Sequence, residues 1–183
     1  NETKSIRFAL SAIKGVGQVS MNNLVKERKN SGKFRDIIDF MSRLNGDTIN
    51  KRQLEKLIQS GSFDSLFKNR NKLFDNVENF VKIYGGTNNS KTKNQELLFE
   101  DNKNSFDDKN LFKQNISEWN SNELLKYELD VVGFYFSNHP LSYYPSTFFS
   151  DNNIIEYDTL LNSTDLKSAS LVGSILDIKE RSN

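Results

Sequence analysis

The sequence predicts a mainly α-helical chain that closes on a single β-strand. Three observations carry this. Apolar residues recur three or four positions apart in successive windows from Ile6 to Val132, the period of helices with one buried face. Gly, Asn and Ser break these windows at short intervals, and the whole chain holds only 2 Pro. One segment near the end, Ser168–Lys179 (SASLVGSILDIK), is instead rich in β-compatible residues.

In chain order, Ile6, Leu10 and Ile13, with Phe8 and Ala9 between, suit a short buried helix. Gly15 and Gly17 flank Val16 and end it. Met21, Leu24, Val25 and Arg28 predict a second helix over Gln18–Lys29, broken by Ser31 and Gly32. Phe34, Ile37, Ile38, Met41 and Leu44 form the next stripe, turned by Gly46 and Asp47. Asn50 is a good N-cap for Lys51–Gln59, and Gly61 a good C-terminal stop. Asn69 or Asn71 caps a helix through Leu73, Phe74, Val77, Phe80, Val81 and Tyr84. Gly85–Asn94 (GGTNNSKTKN) has nothing to pack a core, and the sequence over 85–115 reads as largely disordered in isolation. Ser121 is the expected N-cap of a helix through Val132. Pro140 ends the segment after Gly133, and Ile154–Leu161 predicts a short helix. The strand at 168–179 has no visible partner, and a lone strand leaves its backbone groups unpaired, so a β domain continuing past Asn183 is expected. Asn1 in place of Met likewise suggests a longer parent chain.

The chain has 183 residues, room for one domain or two small ones. No run of about 18 apolar residues exists to span a membrane, and no secretion signal opens the chain. Zero Cys excludes disulfides, thiolate metal sites and Cys nucleophiles, and a single His leaves little for a zinc site or a Ser-His-Asp hydrolase. Charge is uneven although the total is +1. Residues 1–94 hold 18 Lys+Arg against 9 Asp+Glu (+9), and residues 95–183 hold 7 against 15 (−8). The basic half fits either a polyanion partner or an ordinary solvated surface.

Ile13-Lys14-Gly15-Val16-Gly17 joins two helical stretches through two glycines. Glycines permit a tight turn and close approach of another molecule to the backbone. The helix that follows begins with unpaired N–H groups and the positive end of its dipole. The amides of Gly15, Val16, Gly17, Gln18 and Val19, with Lys14 beside them, therefore suit a phosphate oxygen without reading a base. Lys26, Arg28 and Lys29 lie about 14 Å or more along that helix, so they meet a different phosphate or none. A plain helix-helix turn is the alternative. A dinucleotide loop is disfavoured, because no strand precedes and Ser20 stands where the third glycine belongs.

Ile13–Gly17 resembles the helix-hairpin-helix motif of non-sequence-specific DNA binders. FALSAIKGVG (Phe8–Gly17), SGKFRDIIDF (Ser31–Phe40), INKRQLEKLIQSGSFDSL (Ile49–Leu66) and EWNSNELLKYELDVVGFYFSNHPL (Glu118–Leu141) follow in this order. Together they resemble the C-terminal part of bacterial replicative DNA polymerase III alpha subunits, over most of the chain outside two Asn-rich stretches. The resemblance implies a tandem helix-hairpin-helix DNA-binding domain at 1–84 and a flexible loop with a clamp-binding peptide at 85–115. It further implies a helical connector at 116–165 and the start of a truncated OB-fold at 166–183. Two features depart from the pattern. The second hairpin, near Leu44–Asn50, keeps only Gly46, and Ser20 and Met21 stand where small residues are common. Lys51 and Arg52 are the candidate phosphate contacts there, with Arg7, Lys33 and Arg35 as further basic candidates.

Gln95-Glu96-Leu97-Leu98-Phe99 is an apolar island between polar stretches. It suits a peptide that docks into an apolar pocket, with Leu98 and Phe99 as anchors and Gln95 fixing register. It resembles the family's internal sliding-clamp peptide, with Leu97 also in the contact, although Glu96 departs from the apolar residue often found second. Folding back onto the domain's own surface is the alternative. The resemblance implies double-stranded DNA, the sliding clamp and other replicase subunits as partners, no membrane, and a bacterial cytoplasmic, nucleoid-associated setting. It implies an intact parent that is a DNA-directed DNA polymerase with Mg2+ in its palm. This stretch carries no catalytic residues or cofactor of its own. Asp107 and Asp108 read as solvated charges, Asp36 and Asp39 as solvated or paired, His139 as structural or capping, and Trp119 as packed in the connector's core. A helix-hairpin-helix glycosylase and a protein-interaction scaffold remain the alternative readings of the same pattern.

Overall fold

A computed structural model describes residues 8–44, 48–84, 112, 116–164, 166–176 and 178–181. Its eight α-helices among these residues are α1 (Gln18–Ser31), α2 (Ile37–Arg43), α3 (Lys51–Gln59), α4 (Arg70–Asp75), α5 (Val77–Tyr84), α6 (Ser121–Val132), α7 (Ser146–Asp151) and α8 (Tyr157–Asn162). Short 3-10 turns cover Leu10–Ala12 and Pro140–Tyr143. The chain divides into two compact units, Asn1–Tyr135 and Phe136–Asn183. None of the described helices is long and apolar enough to cross a membrane.

Most helix ends follow the local chemistry that the sequence advertises. Asn50 accepts from the Gln53 N–H at 2.9 Å while the Gln53 carbonyl oxygen accepts from the Asn50 N–H at 3.1 Å, a reciprocal cap on α3. Gly61 follows α3 with φ +76°, a left-handed value that glycine adopts without strain. Asn120, not Ser121, caps α6. Its carboxamide accepts from the Glu123 N–H, and Glu123 reaches back to the Asn120 N–H, both at 3.0 Å. Asn with Glu three residues later outcompetes a Ser whose register offers no such return bond. Asp36 caps α2 by accepting from the Asp39 N–H at 2.7 Å, which leaves Phe34 outside the helix. The predicted helix from Asn69 to Tyr84 is two helices. Asn76 is fully buried and donates its amide to the Lys72 carbonyl at 2.7 Å, a local bond that breaks the helical path.

The core of the first unit is one cluster. Leu54, Leu57 and Ile58 of α3 lie under Met21 and Leu24 of α1, Phe40 and Met41 of α2, Leu73 of α4, Val77 and Phe80 of α5, and Val131 of α6. Trp119, expected in the connector's own core, is 8% exposed in this cluster and packs against Tyr127 (ring centroids 4.3 Å) and Phe74 of α4 (5.5 Å). The sequence grouped α6 with a connector at 116–165; its Val131 and the preceding Trp119 join the core of the first unit.

Polar bonds fasten residues 116–132 to α4. Glu118 accepts from the Arg70 N–H at 2.7 Å, the Asn71 N–H at 3.0 Å and the Trp119 N–H at 2.8 Å. The Asn69 and Asn71 amides donate to the Ile116 and Ser117 carbonyls at 2.9 and 2.8 Å. Arg70 is 6% exposed and grips Asp64 through Nε (2.8 Å) and Nη2 (2.6 Å). Its Nη1 reaches the fully buried Glu128 at 2.8 Å. Gly61 makes the room. A Cβ there would stand 2.2 Å from Arg70 Nη2, so any side chain at 61 displaces the guanidinium.

In the second unit, Pro140 starts a 3-10 turn rather than merely ending a segment, as its fixed φ suits a first helical position. His139 caps that turn, its Nδ1 accepting from the Leu141 N–H at 3.2 Å. Helix α7 was not foreseen, and the helix predicted at Ile154–Leu161 runs as α8, Tyr157–Asn162. Ile154 instead forms a parallel bridge to Ser170, with the Ile155 N–H donating to the Ser170 carbonyl at 3.1 Å. The described part of 168–179 makes no other named strand pairing.

Two predictions follow from the ion pairs. Glu128→Ala leaves a buried guanidinium short of one partner, and urea denaturation of the chain should show about 3–5 kcal/mol of lost stability. Glu128→Leu with Arg70→Met, which removes both charges, should recover part of that. Asp39 is held below the ordinary carboxylate range, chiefly by the Arg35 N–H and then by Arg43, with burial opposing. Glu27 is lowered by bonds from the Ser31 side chain and Arg43. Lowered folded values mean stability present above the ordinary range and lost as pH falls through it. The urea midpoint should therefore fall on acidification into the carboxylate range, and Asp39→Asn should flatten that limb.

Candidate nucleic-acid interface

The hairpin is built from two buried pegs and an exposed rim. Ile13 (3% exposed) and Val16 (5%) anchor it in the core, while Lys14, Gly15, Gly17, Gln18 and Val19 face outward, Val19 at 75%. Gly15 has φ +80°, the left-handed conformation that demands glycine. Gly17 is at φ −75° and is the N-cap of α1. It has no side chain, so α1 starts without a side-chain cap.

That choice decides which backbone donors are open. The Lys14 N–H is already committed to the Val131 carbonyl of α6 at 2.8 Å, and the Val16 N–H to the Ile13 carbonyl at 3.1 Å. The N–H groups of Gly15, Gly17, Gln18 and Val19 find no acceptor among the described residues. Other helix starts in this unit differ. At α4, Glu118 and the Asn69 side chain take the first three amides. At α3, the Asn50 side chain takes the third. Unlike α3 and α4, α1 begins with no side-chain cap, so its positive dipole end, equivalent to roughly half an elementary charge, is less covered than theirs.

The start of α3 stands beside that of α1. The Gln53 amide donates to Ser20 Oγ at 3.1 Å, so the third residue of each helix touches the other. A Cβ on Gly17 would lie 3.4 Å from Gln53 Nε2, and one on Gly15 would lie 3.6 Å from the Lys56 side chain. Ser20, which departs from the small residues of the resembled pattern, thereby makes the polar link between the helices, and Met21 is buried beside it. Lys51 and Arg52, the first two residues of α3, are both exposed but differ in commitment. Lys51 Nζ lies 2.5 Å from Glu78, which raises its pKa, and 3.9 Å from Glu55. Arg52 has no acidic partner among the described residues. Lys56, one turn further on the same face, was not singled out from sequence, although its spacing from Arg52 could have found it.

Several other candidates are engaged elsewhere. Arg35 pairs with Asp39 at 3.4 Å, and Asp39 also takes Arg43 at 3.3 Å. Asp36 is occupied as a helix cap. Neither acid after the hairpin is therefore free for acid-base work. Arg7, Gly46, Asp107, Asp108 and the island Gln95, Leu97, Leu98 and Phe99 lie outside the described residues.

Residues 1–73 match the helix-hairpin-helix motif model. DNA polymerase III subunit alpha of Borreliella burgdorferi is 30% identical over 181 residues, covering 97% of this chain and 16% of that protein. The same subunit from Buchnera aphidicola is 33% identical over 187 residues, 99% of this chain and 16% of the relative. That of Campylobacter jejuni is 33% identical over 174 residues, 95% of this chain and 14% of the relative. The chain thus spans about one sixth of the length of the curated relatives it matches. A likeness that runs nearly end to end in several bacteria, and includes the hairpin at its start, is more than a shared turn. The chain belongs to the DNA polymerase III alpha subunit family, as a portion of such a subunit that carries the helix-hairpin-helix motif.

Proposed function

We propose that this stretch holds duplex DNA by its backbone, without reading sequence, within a parent that is a DNA-directed DNA polymerase. The uncapped start of α1 carries the reading. Four outward or rim amides at Gly15, Gly17, Gln18 and Val19 find no acceptor among the described residues, and a phosphate oxygen would supply one. Among the described residues Lys14 and Arg52 have no acidic partner, and they neutralise the same strand in this reading. Backbone amides that hold phosphate oxygens carry no sequence information, which fits a site that must let the duplex slide.

A second contact follows from the sequence island. Gln95, Leu97, Leu98 and Phe99 tether the polymerase to the sliding clamp in this proposal, with the leucines and phenylalanine as apolar anchors. Two weak contacts on one chain raise retention through effective concentration, so neither needs high affinity alone. Other replicase subunits and the bacterial chromosome in the cytoplasm form the setting of the same reading.

Fluorescence anisotropy with a labelled duplex tests the backbone contact. Affinity should fall steeply as salt rises, because each neutralised phosphate releases counterions. Lys14→Ala and Arg52→Ala should each make the log–log salt slope shallower by about 1. Lys51→Ala should change it less, since Glu78 holds that ammonium. Gly17→Val is the sharpest variant, because φ at 17 suits any residue while the new side chain covers the open amides. Duplex affinity should drop about tenfold or more, equivalent to about 1.4 kcal/mol, with the thermal midpoint kept. An unchanged affinity would leave the hairpin as a scaffold turn. For the tether, Leu98→Ala with Phe99→Ala should abolish retention on an immobilised clamp ring while duplex binding persists.

A further inference from the structure

The first unit carries a groove that the hairpin does not use. It encloses about 550 Å3, within the range of roughly 300–1,000 Å3 typical of ligand sites. Its floor is apolar, from Leu24 of α1, Phe40 of α2, Leu57 of α3 and Phe63 after it. Its rim holds Arg28 and Lys33. Among the described lining residues there is no carboxylate. Carboxylates on neighbouring elements are taken, Glu27 and Asp39 by Arg43 and Asp64 by Arg70. Arg28 and Lys33 have no acidic partner among the described residues.

Arg28 stands eleven residues beyond Gly17, roughly 16 Å along α1, too far to share the hairpin's phosphate. A phosphate rail also has no use for an apolar floor. We propose that this groove is the docking site of a short acidic peptide on a partner protein, with bulky apolar residues as its anchors. The anchors enter the floor, where their desolvation supplies most of the affinity. The acidic flanks meet Arg28 and Lys33, which select against basic sequences and speed encounter.

The test uses the 183-residue chain and two fluorescein-labelled synthetic peptides. Both have a core of Leu and Phe; one has Asp and Glu flanks, the other Lys flanks. Anisotropy should show the acidic peptide binding at least about tenfold more tightly than the basic one. Arg28→Glu with Lys33→Glu should invert that preference, with far-UV circular dichroism unchanged. Ser65→Trp, which fills the groove from its exposed wall, should remove binding of the acidic peptide. The proposal is overturned if the acidic peptide does not bind, or if charge reversal leaves its affinity unaltered. It is also overturned if duplex DNA displaces the peptide and the double charge variant weakens duplex binding as much as peptide binding. That last outcome assigns both cations to nucleic acid.

Discussion

Arg70 lies buried between two carboxylates from distant parts of the chain, Asp64 six residues before it and Glu128 fifty-eight after it. Taking a guanidinium out of water costs several kcal/mol, and only well-aligned partners offset it. Here the fork holds both oxygens of Asp64 and one of Glu128, and Gly61 leaves the space that any Cβ would fill. The same corner carries Glu118, whose carboxylate satisfies two amides at the start of α4. Polar satisfaction, rather than apolar area alone, thus fixes where the segment 116–132 sits on the helices before it.

That placement reaches the hairpin. Helix α6 carries Glu128 and, three residues later, Val131, whose carbonyl takes the Lys14 N–H. The exposed turn between Ile13 and α1 is therefore braced from below by a helix more than a hundred residues away in sequence. Bracing matters because donors held in place bind a phosphate without first losing backbone freedom. The open amides of α1 and the closed ones of α4 make the contrast plain. One helix start is closed by the fold, and the other meets no acceptor among the described residues.

Much of this was legible in the sequence. Helix periods located α1, α2, α3 and α6, and Asn50 and Gly61 marked the bounds of α3 correctly, because these signals are local. Gly15 and Gly17 marked the hairpin for the same reason. Errors arose where two local signals competed. Ser121 and Asn120 were both plausible caps, and the return bond from Glu123 decided between them. Asn76 sat inside an unbroken apolar stripe, so its helix-breaking bond to Lys72 had no periodic signature.

By itself, the sequence determined the helical class, the position of the glycine turn, the basic front half and the family likeness, since each depends on residue type and spacing along one stretch of chain. Only the tertiary structure decided which amides remain open, that Lys51 is held by Glu78 while Arg52 is not, and that Ser20 joins α1 to α3 through Gln53. Those outcomes turn on atoms brought within hydrogen-bond reach from residues 27, 33 and 117 positions apart. Spacing along the chain carries no record of such meetings.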